Sequence, residues 1–103
     1  MQTIYGLNIK TIENIKAVLL SFPDVQKALL YGSRAKGNFK IGSDIDISLV
    51  GEKLNLKILN KISDSLDNLF LPQKFDLSIY HQIENQDLLD HIQRNGIILI
   101  NKS

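Results

Sequence analysis

Asp44 and Asp46 stand two apart in the segment Ser43-Asp44-Ile45-Asp46-Ile47-Ser48-Leu49, where Ile45, Ile47 and Leu49 alternate with polar residues. Period two marks a strand with one apolar and one polar face, so the two carboxylates leave the backbone on the same side. Two unit charges about 4 Å apart repel by about 4 kcal/mol at an effective dielectric of about 20. A divalent cation relieves such a pair, and magnesium favours carboxylate oxygens together with substrate phosphates and water. The other reading is a solvated strand end, where the charges diverge into water. A third acid, Asp76, lies in a second alternating segment, Lys74-Phe75-Asp76-Leu77-Ser78-Ile79. If that strand neighbours the first, three carboxylates reach one site. Such a set suits two-metal phosphoryl or nucleotidyl transfer, and one carboxylate can take the proton of an attacking hydroxyl.

Gly32-Ser33 follows the apolar run Ala28-Leu29-Leu30-Tyr31, where a strand gives way to a short helical turn over Arg34 to Asn38. Glycine lets a ligand approach the backbone closely. A helix start offers unpaired N–H groups to an anion, and the Ser33 hydroxyl adds a donor for phosphate. Taken alone, Gly-Ser at a strand end is usually just a turn.

The elements that must position these residues follow from periodicity. Ile9, Ile12, Ile15, Leu19 and Phe22 form one helix face, stopped by Pro23. A strand is expected over 25–31, a second over 45–49 ended by Gly51, and a third over 75–80. Between the last two, Ile58, Leu59, Ile62, Leu66, Leu69 and Phe70 give the longest helical stripe. Leu88, Leu89 and Ile92 predict a final helix closed by Asn95-Gly96, and Ile97 to Ile100 a final strand. The order α-β-(α)-β-α-β-α-β predicts an α/β (α+β) domain over 1–103, a single mixed sheet with helices packed on it.

Composition narrows the chemistry. The chain has 103 residues, 44% hydrophobic and 22% charged, and a formal net charge of +1. That balance argues against nucleic-acid or membrane binding driven by net charge. The absence of cysteine removes thiolate nucleophiles and cysteine-held zinc or iron–sulfur centres. No Walker motif or G-x-G-x-x-G is present, which excludes the P-loop and dinucleotide-binding readings. Met1 to Asn8 lacks a basic start followed by an apolar run, and no stretch is long enough to span a bilayer, so a cytoplasmic protein is expected.

Leu29-Leu30-Tyr31-Gly32-Ser33-Arg34-Ala35-Lys36-Gly37, then Ser43-Asp44-Ile45-Asp46-Ile47-Ser48-Leu49, then Phe75-Asp76-Leu77 resembles the nucleotidyltransferase superfamily related to DNA polymerase beta. It is most similar to the minimal nucleotidyltransferase (MNT) branch. The resemblance implies a nucleotidyltransferase-like fold and a catalytic set of Asp44, Asp46 and Asp76. Asp44 and Asp46 would ligate two magnesium ions, and Asp76 would complete the metal site and act as base. Gly32 and Ser33 would hold the β- and γ-phosphates of ATP or another nucleoside triphosphate. Arg34 and Lys36 would contact phosphate, unless Arg34 is a buried structural partner for an acidic residue. The resemblance also implies the antitoxin half of a two-gene module, a helical HEPN-type partner, and transfer of AMP to a hydroxyl of that partner. The alternative is a non-catalytic protein that binds and masks its partner.

Other polar residues carry less. His81 and His91 lack a spaced partner set and read as surface or packing residues. Asp64, Asp67, Asp87 and Asp90 read as a solvated helix face. Lys53, Lys57 and Lys61 recur every four residues as a basic stripe on the long helix, for solubility or for docking an acidic partner.

Overall fold

The computed structural model describes residues 3–102; the expectations that touch Met1, Gln2 and Ser103 lie outside them. Helix α1 spans Ile9–Leu20, β3 Lys27–Tyr31, α2 Ser33–Lys36, β4 Ile45–Val50, α3 Leu56–Asp67, β5 Phe75–Ile79, α4 Gln86–Asn95 and β6 Ile97–Asn101. The order read from periodicity is present. A two-stranded hairpin precedes it, β1 (Thr3–Ile4) with β2 (Leu7–Asn8). Its turn residues Tyr5 and Gly6 both have positive φ, 58° and 76°, the backbone that a two-residue hairpin loop requires. No helix among the described residues is long and apolar enough to cross a membrane.

The three longer helices start on asparagine. Asn8, Asn55 and Asn85 accept the N–H groups of Thr11, Ile58 and Leu88 at 2.8, 2.9 and 3.1 Å, each cap worth about 1 kcal/mol. Several boundaries differ from expectation: α2 runs from Ser33 only to Lys36, and β5 stops at Ile79, with Tyr80 starting a short 3-10 turn. Val25 is wholly buried but lies below β3, its N–H returning to Phe22 at 3.1 Å. Helix α3 ends at Asp67, three residues short of Phe70. Phe70 takes φ 55° and is exposed, so it leaves the apolar stripe. Lys53 likewise precedes α3, so the lysine stripe is only partly helical.

The main sheet runs β5-β4-β3-β6, with β4 and β5 parallel and the other pairs antiparallel. Ile45, Ile47 and Leu49 pair with Phe75, Leu77 and Ile79. With Ala28 and Leu30 of β3 they form the inner face, packed into one core with Ile12, Ile15 and Leu19 of α1 and Ile62 and Leu66 of α3. The opposite face carries Tyr31, Asp46, Ser48, Asp76 and Ser78, and α4 packs against part of it through β3. The hydrophobic side therefore fixes the polar side: a slip of one residue would send every side chain to the wrong face.

Neighbouring residues of β4 should respond oppositely to truncation. Ile47→Ala removes a wholly buried side chain and should lower the unfolding free energy by about 2–5 kcal/mol. Ser48 is also wholly buried, but its Oγ has no hydrogen-bond partner, so Ser48→Ala should be neutral or stabilising. Urea denaturation measures both. A loss above about 1 kcal/mol for Ser48→Ala would mean the hydroxyl has a partner after all.

Candidate active site

The parallel register of β4 and β5 sets Asp46 directly opposite Asp76, and antiparallel pairing sets Tyr31 of β3 opposite Asp46 on its other side. Asp44 precedes β4 at the same end of the sheet. Asp44 and Asp76 are exposed and Asp46 is half-buried. Burial, then the charges of Asp76 and Asp44, push the Asp46 carboxyl up to about 6, against a weaker opposing pull from Arg34. Burial chiefly raises the Tyr31 phenol, with Asp76 and Asp46 adding to it against a hydrogen bond to Ser78. Tyr31 is therefore a neutral hydroxyl, its Oη 3.5 Å from Ser78 Oγ.

Gly32 closes the site on the β3 side. Its φ of 75° and ψ of −154° belong to a region open essentially to glycine alone. A Cβ built there would collide with the Asp46 carboxylate. The backbone and the acid thus share a space that no side chain can enter. Helix α2 is a single turn, with Lys36 N–H on Gly32 O at 3.1 Å, so any affinity for anions rests on local N–H groups and not on a long helix dipole. A cleft of about 250 Å³ lies beside it, lined by Gly32, Ser33, Lys36, Asn38 and His91.

Arg34 does not line that cleft. It is 1% exposed. Its Nη1 donates to Tyr5 O at 2.9 Å, its Nη2 to Ser43 O at 2.8 Å and to Ile41 O at 3.2 Å, and its Nε to Ser43 O at 3.2 Å. The guanidinium lies 5.4 Å from the Phe39 ring centre. The expected phosphate contact of Arg34 is therefore corrected: its donors are spent on carbonyls, which tie the hairpin turn to the loop leading into Asp44. Arg34 is buried, as the alternative reading had it: its hydrogen bonds go to these carbonyls, and Asp46 is the acid that feels its charge.

His91 sits where the sequence assigned only a surface or packing role. The Gly32 N–H donates to His91 Nε2 at 2.8 Å. No spacing signal marked it, because α4 reaches Gly32 only through tertiary packing across 59 residues of chain. His81 and the lysines of α3 lie outside the cleft. A larger hollow of about 400 Å³, lined by Leu29, Val50, Tyr80 and Ile92 among others, contains none of the three acids.

The donor set suits a hard divalent cation. Burial and two neighbouring carboxylates push the Asp46 carboxyl up to about 6, and a cation relieves the repulsion among the three. Among the described residues no group of three acids or histidines is already gathered tightly enough to hold an ion. Asp46 and Asp76, in register, are the pair on which a site would be built.

A family model described as polymerase beta, nucleotidyltransferase matches residues 13–103. Comparison with curated proteins finds no match. Among solved structures, a toxin–antitoxin crystal structure with AMP-PNP superposes with a TM-score of 0.73 at 22% identity, over 87% of this chain and 73% of that one. The MntA–HepT toxin–antitoxin structure gives 0.69 at 19% identity, over 91% and 73%. A tri-AMPylated Shewanella oneidensis HEPN toxin in complex with its MNT antitoxin gives 0.68 at 19% identity, over 89% and 71%. At these identities the likeness is one of fold.

The raised pKa of Asp46 predicts a signature in stability. The folded chain holds a proton on Asp46 up to about pH 6, while the unfolded chain releases it near pH 3.9. Across that window the folded state binds more protons, so the contribution of Asp46 to stability falls as pH rises. In EDTA, Asp46→Asn should therefore be more stable than the parent above about pH 6, and the gap should close towards about pH 4. Urea midpoints over this range measure it; a gap independent of pH would mean that Asp46 titrates normally.

Proposed function

This chain belongs to the polymerase beta nucleotidyltransferase family, and on that footing we propose that it transfers a nucleoside monophosphate, AMP from ATP, to a hydroxyl of a helical HEPN-type partner in the cytoplasm. The observation that carries this reading is the in-register pairing of Asp46 with Asp76 beside Gly32, whose missing side chain leaves room at the carboxylate. The AMP-PNP in one fold neighbour and the AMPylated HEPN toxin of another support the choice of nucleotide and partner, and with them an antitoxin role.

Gly32 and Ser33 orient the β- and γ-phosphates through backbone N–H and hydroxyl donors, and Lys36 brings a positive charge to the same cleft. Asp44, Asp46 and Asp76 would hold two magnesium ions. Bound there, magnesium would neutralise triphosphate charge and relieve the repulsion among the acids. The acceptor oxygen attacks the α-phosphorus in line, forming one P–O bond as the bond to the pyrophosphate oxygen breaks. Its proton passes to a carboxylate; Asp76, exposed at the sheet edge, is the base open to an approaching hydroxyl. The partner's part is to bring that hydroxyl within about 3–3.5 Å of the phosphorus.

Co-expression with a HEPN-type partner, followed by intact-mass measurement with ATP and magnesium, tests this. The partner should gain the mass of AMP. The gain should vanish with EDTA and with Asp44→Asn or Asp46→Asn, while the complex survives. A tight complex without any mass gain would contradict transfer and leave masking as the function.

A further inference from the structure

The bond between Gly32 and His91 bears on how the cleft accepts an anion. A nitrogen that accepts an N–H carries a lone pair and no proton. His91 Nε2 accepts from Gly32 at 2.8 Å, so the imidazole is neutral and its proton is on Nδ1. Nδ1 lies 3.2 Å from Asn95 Nδ2, which donates to His91 O at 3.4 Å. Tyr31 of β3 meets the ring edge-on, centres 6.1 Å apart and planes at 70°, and so fixes the direction of Nε2. From α2, Lys36 faces the ring. Burial first, and Lys36 second, lower the His91 pKa. On α4 itself the neighbours one turn away are Asp87 and Arg94, opposite in sign and both exposed.

Within the cleft, Lys36 supplies a cation and Gly32, Ser33 and Asn38 supply donors. The lone pair on His91 Nε2 is the feature that opposes an anion, and it occupies the N–H that a phosphate oxygen would use. We infer that His91 is a phosphate-binding residue of this site: a triphosphate takes over the Gly32 N–H, and His91 gains a proton at Nε2 and turns from acceptor to donor towards the same phosphate. The inference rests on the function proposed above and adds a residue to it. Without the proton, a phosphate oxygen on Gly32 would face the imidazole lone pair at close range. With it, repulsion becomes a charge-assisted hydrogen bond. The proton comes from solvent, so nucleotide binding should weaken as pH rises through neutrality.

Calorimetric titration with ATP and magnesium, in two buffers of different ionisation enthalpy at about pH 7, counts the protons taken up. His91→Gln keeps an oxygen to accept the Gly32 N–H but cannot become charged; protons belonging to ATP itself are common to both proteins. The parent should take up a fraction of a proton that the variant does not. The variant should bind ATP roughly tenfold more weakly below neutrality, with a smaller difference above it. On the parent alone, nitrogen NMR should show His91 Nε2 unprotonated without ATP and protonated with it. Equal proton uptake by parent and variant, or an Nε2 unchanged by ATP, would overturn the inference and leave the nucleotide site standing. Failure of the parent to bind ATP at all would instead remove the site assignment, and this inference with it.

Discussion

Two carboxylates are held side by side by a sheet that gains nothing electrostatically from the arrangement. Adjacent strands lie about 4.8 Å apart, and two charges at about that distance repel by roughly 3 kcal/mol at an effective dielectric of about 20. The register that opposes Asp46 to Asp76 is the one that opposes Ile47 to Leu77 and Ile45 to Phe75 on the inner face. Burial of that face under α1 and α3 outweighs the repulsion. Burial first, and that repulsion second, leave on the outer face a carboxyl pushed up to about 6. Gly32 and the exposed positions of Asp44 and Asp76 are arranged around it.

Arg34 serves this arrangement from behind. A wholly buried guanidinium is normally retained only where its donors are satisfied. Here they meet the carbonyls of Tyr5, Ile41 and Ser43. The hairpin turn and the loop before Asp44 are thereby tied to α2, the element that follows Gly32. One side chain thus joins α2, the hairpin turn and the loop before Asp44 without entering the cleft. Its neighbour in sequence, Lys36, remains at the surface and lines the cleft.

What could be read from sequence depended on the range of the cause. The alternation around Asp46 and Asp76 is local, so both strands and the facing of both acids were legible. Their adjacency was conditional on strand pairing and needed the fold. The hairpin was missed because two-residue strands are too short to show a period, leaving Tyr5-Gly6 as the only signal. Phe70 fitted the spacing of α3, yet the last turn tightens, with Leu69 N–H on Leu66 O and Phe70 N–H on Asp67 O both at 3.0 Å, and Phe70 itself takes φ 55°. The fate of Arg34 depended on carbonyls from two separate segments. That of His91 depended on α4 folding back across β3. Neither leaves a trace in residue spacing.

On the function proposed above, a divalent cation and a nucleotide meet at the carboxylate edge beside Gly32. Paramagnetic broadening by manganese in the presence of ATP tests it most directly, read amide by amide in a labelled sample. The amides of Gly32, Ser33, Asp44, Asp46 and Asp76 should disappear first, with those of α3 untouched. Broadening centred on another part of the surface, such as the hollow beside Glu52 and His81, with the Gly32 and Asp46 amides intact, would contradict it.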